Sequence, residues 1–159
     1  MQQLMDNSVL DRRAFVLGAS AVAAIMPFLA APAAAQEAPQ TWEEALKRLV
    51  GDAQPTTNGK LTLDLPEIAE NGNMVPITVS VDSPMSEKEH VKAVHVLATA
   101  NPQPSVVTFR FTLLSGRASA SSRMRLARTQ DVIALAELND GKFIMVKRSV
   151  KVTIGGCGG

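Results

Sequence analysis

Residues Val107-Thr108-Phe109-Arg110-Phe111-Thr112-Leu113 alternate apolar and polar side chains without a break. Successive side chains of a strand point to opposite faces, so a period of two marks a half-buried strand; a helix would repeat its apolar face every three or four residues. The same period recurs on both sides of this stretch. Upstream, Leu61, Leu63 and Leu65 alternate before Pro66, and Val75, Ile77, Val79 and Val81 alternate, with Pro76 marking an edge or a strand start. Asp82-Ser83-Pro84 makes a turn, and Val91 to Ala98 is another apolar stretch. Downstream, Met124 and Leu126 alternate with Arg123, Arg125 and Arg128. Val132 to Leu138 is nearly continuous apolar sequence, which period alone leaves open between a strand and a buried helical turn. Asn139-Asp140-Gly141 is a hairpin signal, Phe143 to Val146 returns from it, and Val150, Val152 and Ile154 alternate again. Seven or eight short strands between turn residues predict a mainly β chain, an antiparallel immunoglobulin-like β-sandwich.

One helix precedes the strands. Thr41 and Glu44 have capping-box spacing, in which each side chain satisfies the other residue's free backbone N–H. Trp42, Ala45, Leu46, Leu49 and Val50 then recur at helical spacing, giving an amphipathic helix of about three turns that Gly51 ends. The simplest use of its apolar stripe is to cover its own domain.

The bulk numbers narrow the function. A chain of 159 residues supports one domain with a real core. A formal net charge of +1 argues against nucleic acid or an anionic membrane as partner. Aromatic content of 4%, with no tyrosine, disfavours an aromatic-lined ligand pocket. His90, His95 and a single cysteine do not make up a structural zinc site, and no Gly-rich phosphate loop joins a strand to a helix. No cofactor is therefore expected.

Residues 1–35 read as an address rather than as part of the fold. Arg12 and Arg13 precede Ala14, Phe15, Val16 and Leu17, a soft apolar run continues to Leu29, and Ala33-Ala34-Ala35 closes it before Gln36. Asp11-Arg12-Arg13-Ala14-Phe15 resembles the twin-arginine export signal, although Asp11 stands where Ser or Thr is usual and no lysine follows. A membrane anchor is the competing reading; Pro27, Pro32, Gly18 and Ser20 weaken it, because a spanning helix needs about 20 strongly apolar residues. Cleavage after Ala35 would leave the protein in the periplasm, with residues 36–154 as helix plus sandwich.

Alternation stops at Ile154, and Gly155-Gly156-Cys157-Gly158-Gly159 follows. Glycine has no side chain to bury, so such a tail is expected to be flexible and slim, outside any core. Three residues separate Ile154 from Cys157, a reach of about 10 Å at roughly 3.3–3.6 Å each. The nearest basic residue in the chain is Lys151, so a solvated thiol here would titrate near the reference value of about 8.5 and depend on a visiting protein for activation. That is the design of a covalent carrier rather than of a catalyst. A frayed end with an accidental cysteine, a structural intermolecular disulfide and lipidation are the alternatives. An exposed purposeless thiol is a liability in an oxidising compartment, four glycines suit a rigid staple poorly, and prenyl motifs need three residues after the cysteine.

Taken together, the twin-arginine-like signal, the capped helix, the sandwich pattern and the terminal glycine-framed Cys157 resemble the SoxY family, the sulfur-carrier subunits of the bacterial Sox thiosulfate-oxidation system. The resemblance implies a periplasmic heterodimer with a SoxZ-like β-sandwich subunit. It implies that Cys157 holds sulfur intermediates covalently, with Gly155, Gly156, Gly158 and Gly159 as its swinging arm, and presents them to haem, dimetal and molybdenum enzymes of that system. A noncatalytic immunoglobulin-like interaction domain cross-linked through Cys157 is the alternative from another class. Arg110, Arg117, Arg123, Arg125 and Arg128 could steer anionic thiosulfate, but their alternation with apolar residues reads more simply as a solvated strand face. His90 and His95 read as surface residues.

Overall fold

The computed structural model describes residues 40–57 and 59–154. The chain enters through helix α1, Trp42–Val50, whose start is the expected capping box: Thr41 Oγ1 accepts from the Glu44 amide at 3.2 Å, and the Thr41 amide donates to Glu44 Oε2 at 3.1 Å. Gly51 ends the helix at φ +60°, a backbone conformation that glycine adopts without strain. Eight strands follow: β1 Leu61–Asp64, β2 Ile68–Ala69, β3 Val75–Val81, β4 Val91–Ala98, β5 Ser105–Arg110, β6 Ala118–Met124, β7 Gln130–Leu138 and β8 Phe143–Val152. A single 3-10 turn, Leu113–Ser115, lies between β5 and β6.

The strands form two sheets, β1-β3-β6 and β2-β8-β7-β4-β5, facing each other across one core. All long pairings are antiparallel; the two-residue β2 runs parallel to β8. Leu61, Leu63, Val75, Ile77, Val79 and Val81 of the smaller sheet meet Val94, Val96, Val132, Ala134, Ala136, Ile144 and Val150 of the larger one. Removing each such Val, Leu or Ile side chain from water contributes about 1.5–3 kcal/mol, set against the chain entropy lost on folding.

The outer face of the larger sheet carries a second cluster. Ala45 packs on Leu97 and Ile133, with Trp42, Leu46, Leu49 and Met145 around them. The helical stripe thus covers its own domain. It also explains the apolar runs that period could not classify. Strands β4 and β7 are inner strands buried on both faces, so neither alternates. Residues 132–138 are strand, not a helical turn.

Three details depart from the sequence pattern. Strand β5 stops at Arg110, and Leu113 belongs to the 3-10 turn rather than to a strand. Strand β6 ends at Met124, so the alternation through Leu126 runs past it into a loop that buries Leu126 completely. His95 is not a surface residue. It lies on an inner strand between β5 and β7 and keeps only 8% of its surface exposed. Its outward position in the period of β4 gave no sign of the neighbours that flank it.

Candidate functional site

Cys157 with Gly155, Gly156, Gly158 and Gly159, and the export-signal residues Arg12, Arg13 and Phe15, lie outside the described residues. The structure does describe the platform from which the Cys157 segment departs. Registers Val75↔Met124, Ala98↔Val132 and Gln130↔Val150 place the loops around residues 65–74, 99–104 and 125–129 at one end of the sandwich, where β8 also runs out.

At that end the chain is held residue by residue. The Lys151 amide donates to Glu67 O at 2.9 Å, the Val152 amide to Thr129 Oγ1 at 3.0 Å, and the Thr153 amide to Ala69 O at 3.1 Å. Thr153 Oγ1 also donates to Glu70 O at 3.1 Å. The carbonyl of Ile154 accepts from the Gly72 amide at 2.8 Å, and the carbonyl of the buried Gly72 accepts from Leu126 at 2.8 Å. Order in the backbone therefore reaches the last described residue.

A polar network fixes the loop that supplies Leu126. Asn101 donates through Nδ2 to Arg125 O at 2.8 Å, and its Oδ1 accepts from the Ala127 amide and from Gln130 Nε2, each at 2.9 Å. Gln130, only 6% exposed, completes the network by donating to Arg128 O at 3.1 Å and accepting from the Ala100 amide at 2.7 Å. A buried amide this fully paired stabilises its loop; left half-paired it would destabilise it. Sequence reasoning missed Gly72, Asn101, Thr129 and Gln130. The turn signal Asn71-Gly72-Asn73 was legible, but its partner Ile154 lies 82 positions away.

The surface here mixes apolar and basic groups. Ile68, Met74 and Ile154 are 57%, 62% and 67% exposed. Of the five arginines, Arg110 and Arg123 lie in strands, Arg117 just before β6, and Arg125 and Arg128 in the loop around Leu126. All five are exposed. Leu126, the neighbour of Arg125, is thus joined through Gly72 to Ile154 at the root of the Cys157 segment, a connection hidden by 28 positions of sequence between Leu126 and Ile154.

His95 belongs elsewhere, on the outer face of the larger sheet. Its Nδ1 is 3.0 Å from Thr108 Oγ1 and its Nε2 is 3.8 Å from Glu137 Oε2, while Lys92 hydrogen-bonds Glu137. Burial holds the imidazole below its usual range, outweighing the pull of the Glu137 carboxylate, and Arg110 acts in the same direction as burial. The hydrogen bond from Lys92 holds the Glu137 carboxyl below the usual carboxylate range. His90 is half-buried, with its amide on Asn139 Oδ1 at 3.1 Å and its Nδ1 3.0 Å from Ser86 O. Among the described residues no three His, Cys, Asp or Glu side chains converge to hold a metal ion.

Comparison with known proteins adds identity to this geometry. The family model of the sulfur oxidation protein SoxY matches residues 46–157, which spans both the sandwich and Cys157. The solved structure of the sulfur carrier protein SoxY from Chlorobium limicola f thiosulfatophilum is similar at 30% identity and a TM-score of 0.59, over 70% of this chain and 96% of that one. A superoxide reductase (neelaredoxin) from Ignicoccus hospitalis shares the fold at a TM-score of 0.53 and 13% identity, over 58% of this chain and 80% of that one. No curated protein sequence matches the chain.

Proposed function

From its membership of the SoxY family, to which this chain belongs, we propose that the protein is a carrier on which sulfur intermediates travel as covalent adducts of Cys157. The observation that carries the reading is the juxtaposition at Ile154. Hydrogen bonds anchor the backbone at residues 151, 152, 153 and 154, and the next five residues are four glycines around the chain's single cysteine. A rigid root followed by side-chain-free linkers is how a thiol is delivered into a narrow site of another protein.

The chemistry follows from the thiol. Joining the Cys157 thiol to thiosulfate forms one S–S bond and releases a proton and two electrons, which a haem enzyme of the system would accept. Water then cleaves the terminal S–S bond of the thiosulfonate, yielding sulfate and leaving a sulfane sulfur on Cys157; a dimetal hydrolase would serve that step. A molybdenum enzyme would oxidise the sulfane that remains. The carrier supplies the attachment point and the reach, and the visiting enzymes supply the activation, so the chain is a substrate-carrier subunit rather than an enzyme.

A SoxZ-like β-sandwich subunit is the proposed heterodimer partner, and Arg12, Arg13 and Phe15 would direct twin-arginine export to the periplasm, with residues 1–35 removed. Intact-mass analysis of the protein purified from thiosulfate-grown cells tests the reading. Sulfane, sulfonate or thiosulfonate mass on the peptide containing Cys157 is the expected result; free thiol and glutathione adducts alone would overturn it.

A further inference from the structure

The loop between β2 and β3 carries Asn71-Gly72, one of two Asn-Gly steps in the chain; the other is Asn58-Gly59. An asparagine before glycine is open to attack on its side-chain Cγ by the next residue's amide nitrogen. The ring that closes has five members, the reacting groups are held in adjacent residues, and glycine has no Cβ to obstruct the approach.

The structure sets the two partners of that reaction in opposite states. The electrophile is exposed and prepared. Asn71 Oδ1 accepts from the Asn73 amide at 2.9 Å, a donor aimed at the oxygen on which negative charge develops as Cγ becomes tetrahedral. A turn closed by the Met74 amide on Asn71 O, at 3.4 Å, holds the segment in place. The nucleophile is withheld. Gly72 is buried, and the proton that its nitrogen must lose is donated to Ile154 O at 2.8 Å.

Ile154 is therefore the latch, and it is a light one. Its own side chain is 67% exposed, so little apolar burial fixes it. The residue before it is held by the Thr153 amide on Ala69 O and by Thr153 Oγ1 on Glu70 O, each at 3.1 Å. Segments with few buried contacts open locally at a far lower free energy than the whole fold. We infer that Asn71-Gly72 is a one-way modification site that converts only while Ile154, the root of the Cys157 segment, is released.

In the reaction a base takes the Gly72 amide proton, the N–Cγ bond forms, and the Cγ–Nδ2 bond breaks with loss of ammonia, leaving a succinimide. Water then opens either imide C–N bond, giving an aspartyl or an isoaspartyl residue; no electrons change hands. The isoaspartyl product lengthens the backbone by one carbon at position 71 and adds a carboxylate to a loop that already holds Glu67 and Glu70. The Gly72 amide is then displaced from Ile154 O, so a molecule that has reacted keeps a loosened root. The latch operates whatever Cys157 carries.

The test is incubation of the purified protein at mildly alkaline pH, with tryptic peptides read by mass spectrometry. Cleavage after Arg48, Lys60 and Lys88 places Asn58 and Asn71 on separate peptides, and conversion appears as the mass change from NH2 to OH. In urea the two sites should convert within about twofold of each other, because both precede glycine in an unfolded chain. In the folded protein Asn71 should convert about tenfold or more slowly than in urea. Thr153→Pro removes the donor to Ala69 O, and should raise folded-state conversion at Asn71 by about fivefold or more, together with hydrogen exchange of the Gly72 amide. Thr153→Val loses only the hydroxyl and should raise both by a smaller factor; it stands in for the proline variant if circular dichroism shows that one unfolded. Conversion at Asn71 as fast in the folded wild type as in urea overturns the inference. So does Gly72 exchange that neither variant changes, faster exchange with conversion unaltered, or modification of Asn73 in place of Asn71.

Discussion

The amide of Gly72 donates to the carbonyl of Ile154 at 2.8 Å, and the carbonyl of Gly72 accepts from the amide of Leu126 at the same distance. One buried residue between β2 and β3 thereby joins the root of the Cys157 segment to the loop that follows β6. Gly72→Pro keeps the acceptor and removes the donor. The expected cost is more than about 1 kcal/mol in urea unfolding, because the bond to Ile154 is lost and the proline ring must be fitted at a buried position. Trypsin cleavage after Lys151, followed by mass spectrometry, should accelerate, because that site is protected only while β8 stays anchored.

Leu126 is fully buried although it lies outside any strand. Leu126→Ala retains the amide that holds Gly72 and loses only packing, so a loss of about 3 kcal/mol is expected from the removed contacts and the cavity left behind. Denaturant unfolding measures it. A much smaller loss would mean that the loop collapses onto the space.

Thr41 caps the only α-helix among the described residues, and that helix seals the outer face over Leu97 and Ile133. Thr41→Val should cost about 1 kcal/mol by leaving the Glu44 amide without its acceptor. The readout is the midpoint of thermal or urea unfolding; loading of Cys157 should not change.

Acid should destabilise the protein in two stages. Burial lowers the His95 value below 6.5, so as pH falls through 6.5 the unfolded chain takes up a proton that the folded one resists. Stability associated with neutral His95 is thus complete above 6.5 and lost below it. Glu137 is lowered from 4.5, chiefly by the Lys92 hydrogen bond; its contribution is present above 4.5 and lost as pH falls further. Melting temperature measured from about pH 8 to about pH 4 should fall in this order. His95→Gln should flatten the upper stage and leave the lower one.

Gly156→Pro restricts the backbone one residue before the thiol. Alkylation of Cys157 by a small reagent should stay within about twofold, since it requires no fit into a partner's site, while enzymatic loading with thiosulfate should drop by about tenfold or more. Cys157→Ser should abolish loading with unfolding unaltered. Equal losses in chemical and enzymatic modification of Gly156→Pro would contradict the role of the glycines as reach.

Much of the fold was legible because short-range physics wrote it. The capping box at Thr41 and Glu44 forms as spaced, Gly51 ends the helix, and Val75 to Val81 alternates as a strand with one face in the core. Where the pattern misled, a neighbour distant in sequence was responsible. His95 looked solvated until β5 and β7 flanked it, and the run 132–138 lost its period because α1 covers one face and β1-β3-β6 the other. Leu126 kept an alternating position after its strand had ended.

By itself, the sequence determined a capped helix, a set of period-two strands and a single cysteine framed by glycines, because each depends on residues within a turn or a strand of one another. Only the tertiary structure decided that Gly72 meets Ile154 and that Asn101 and Gln130 brace the loop beside them. Those relationships connect residues tens of positions apart, and their existence depends on which strands pair and how two sheets stack, which local spacing does not encode.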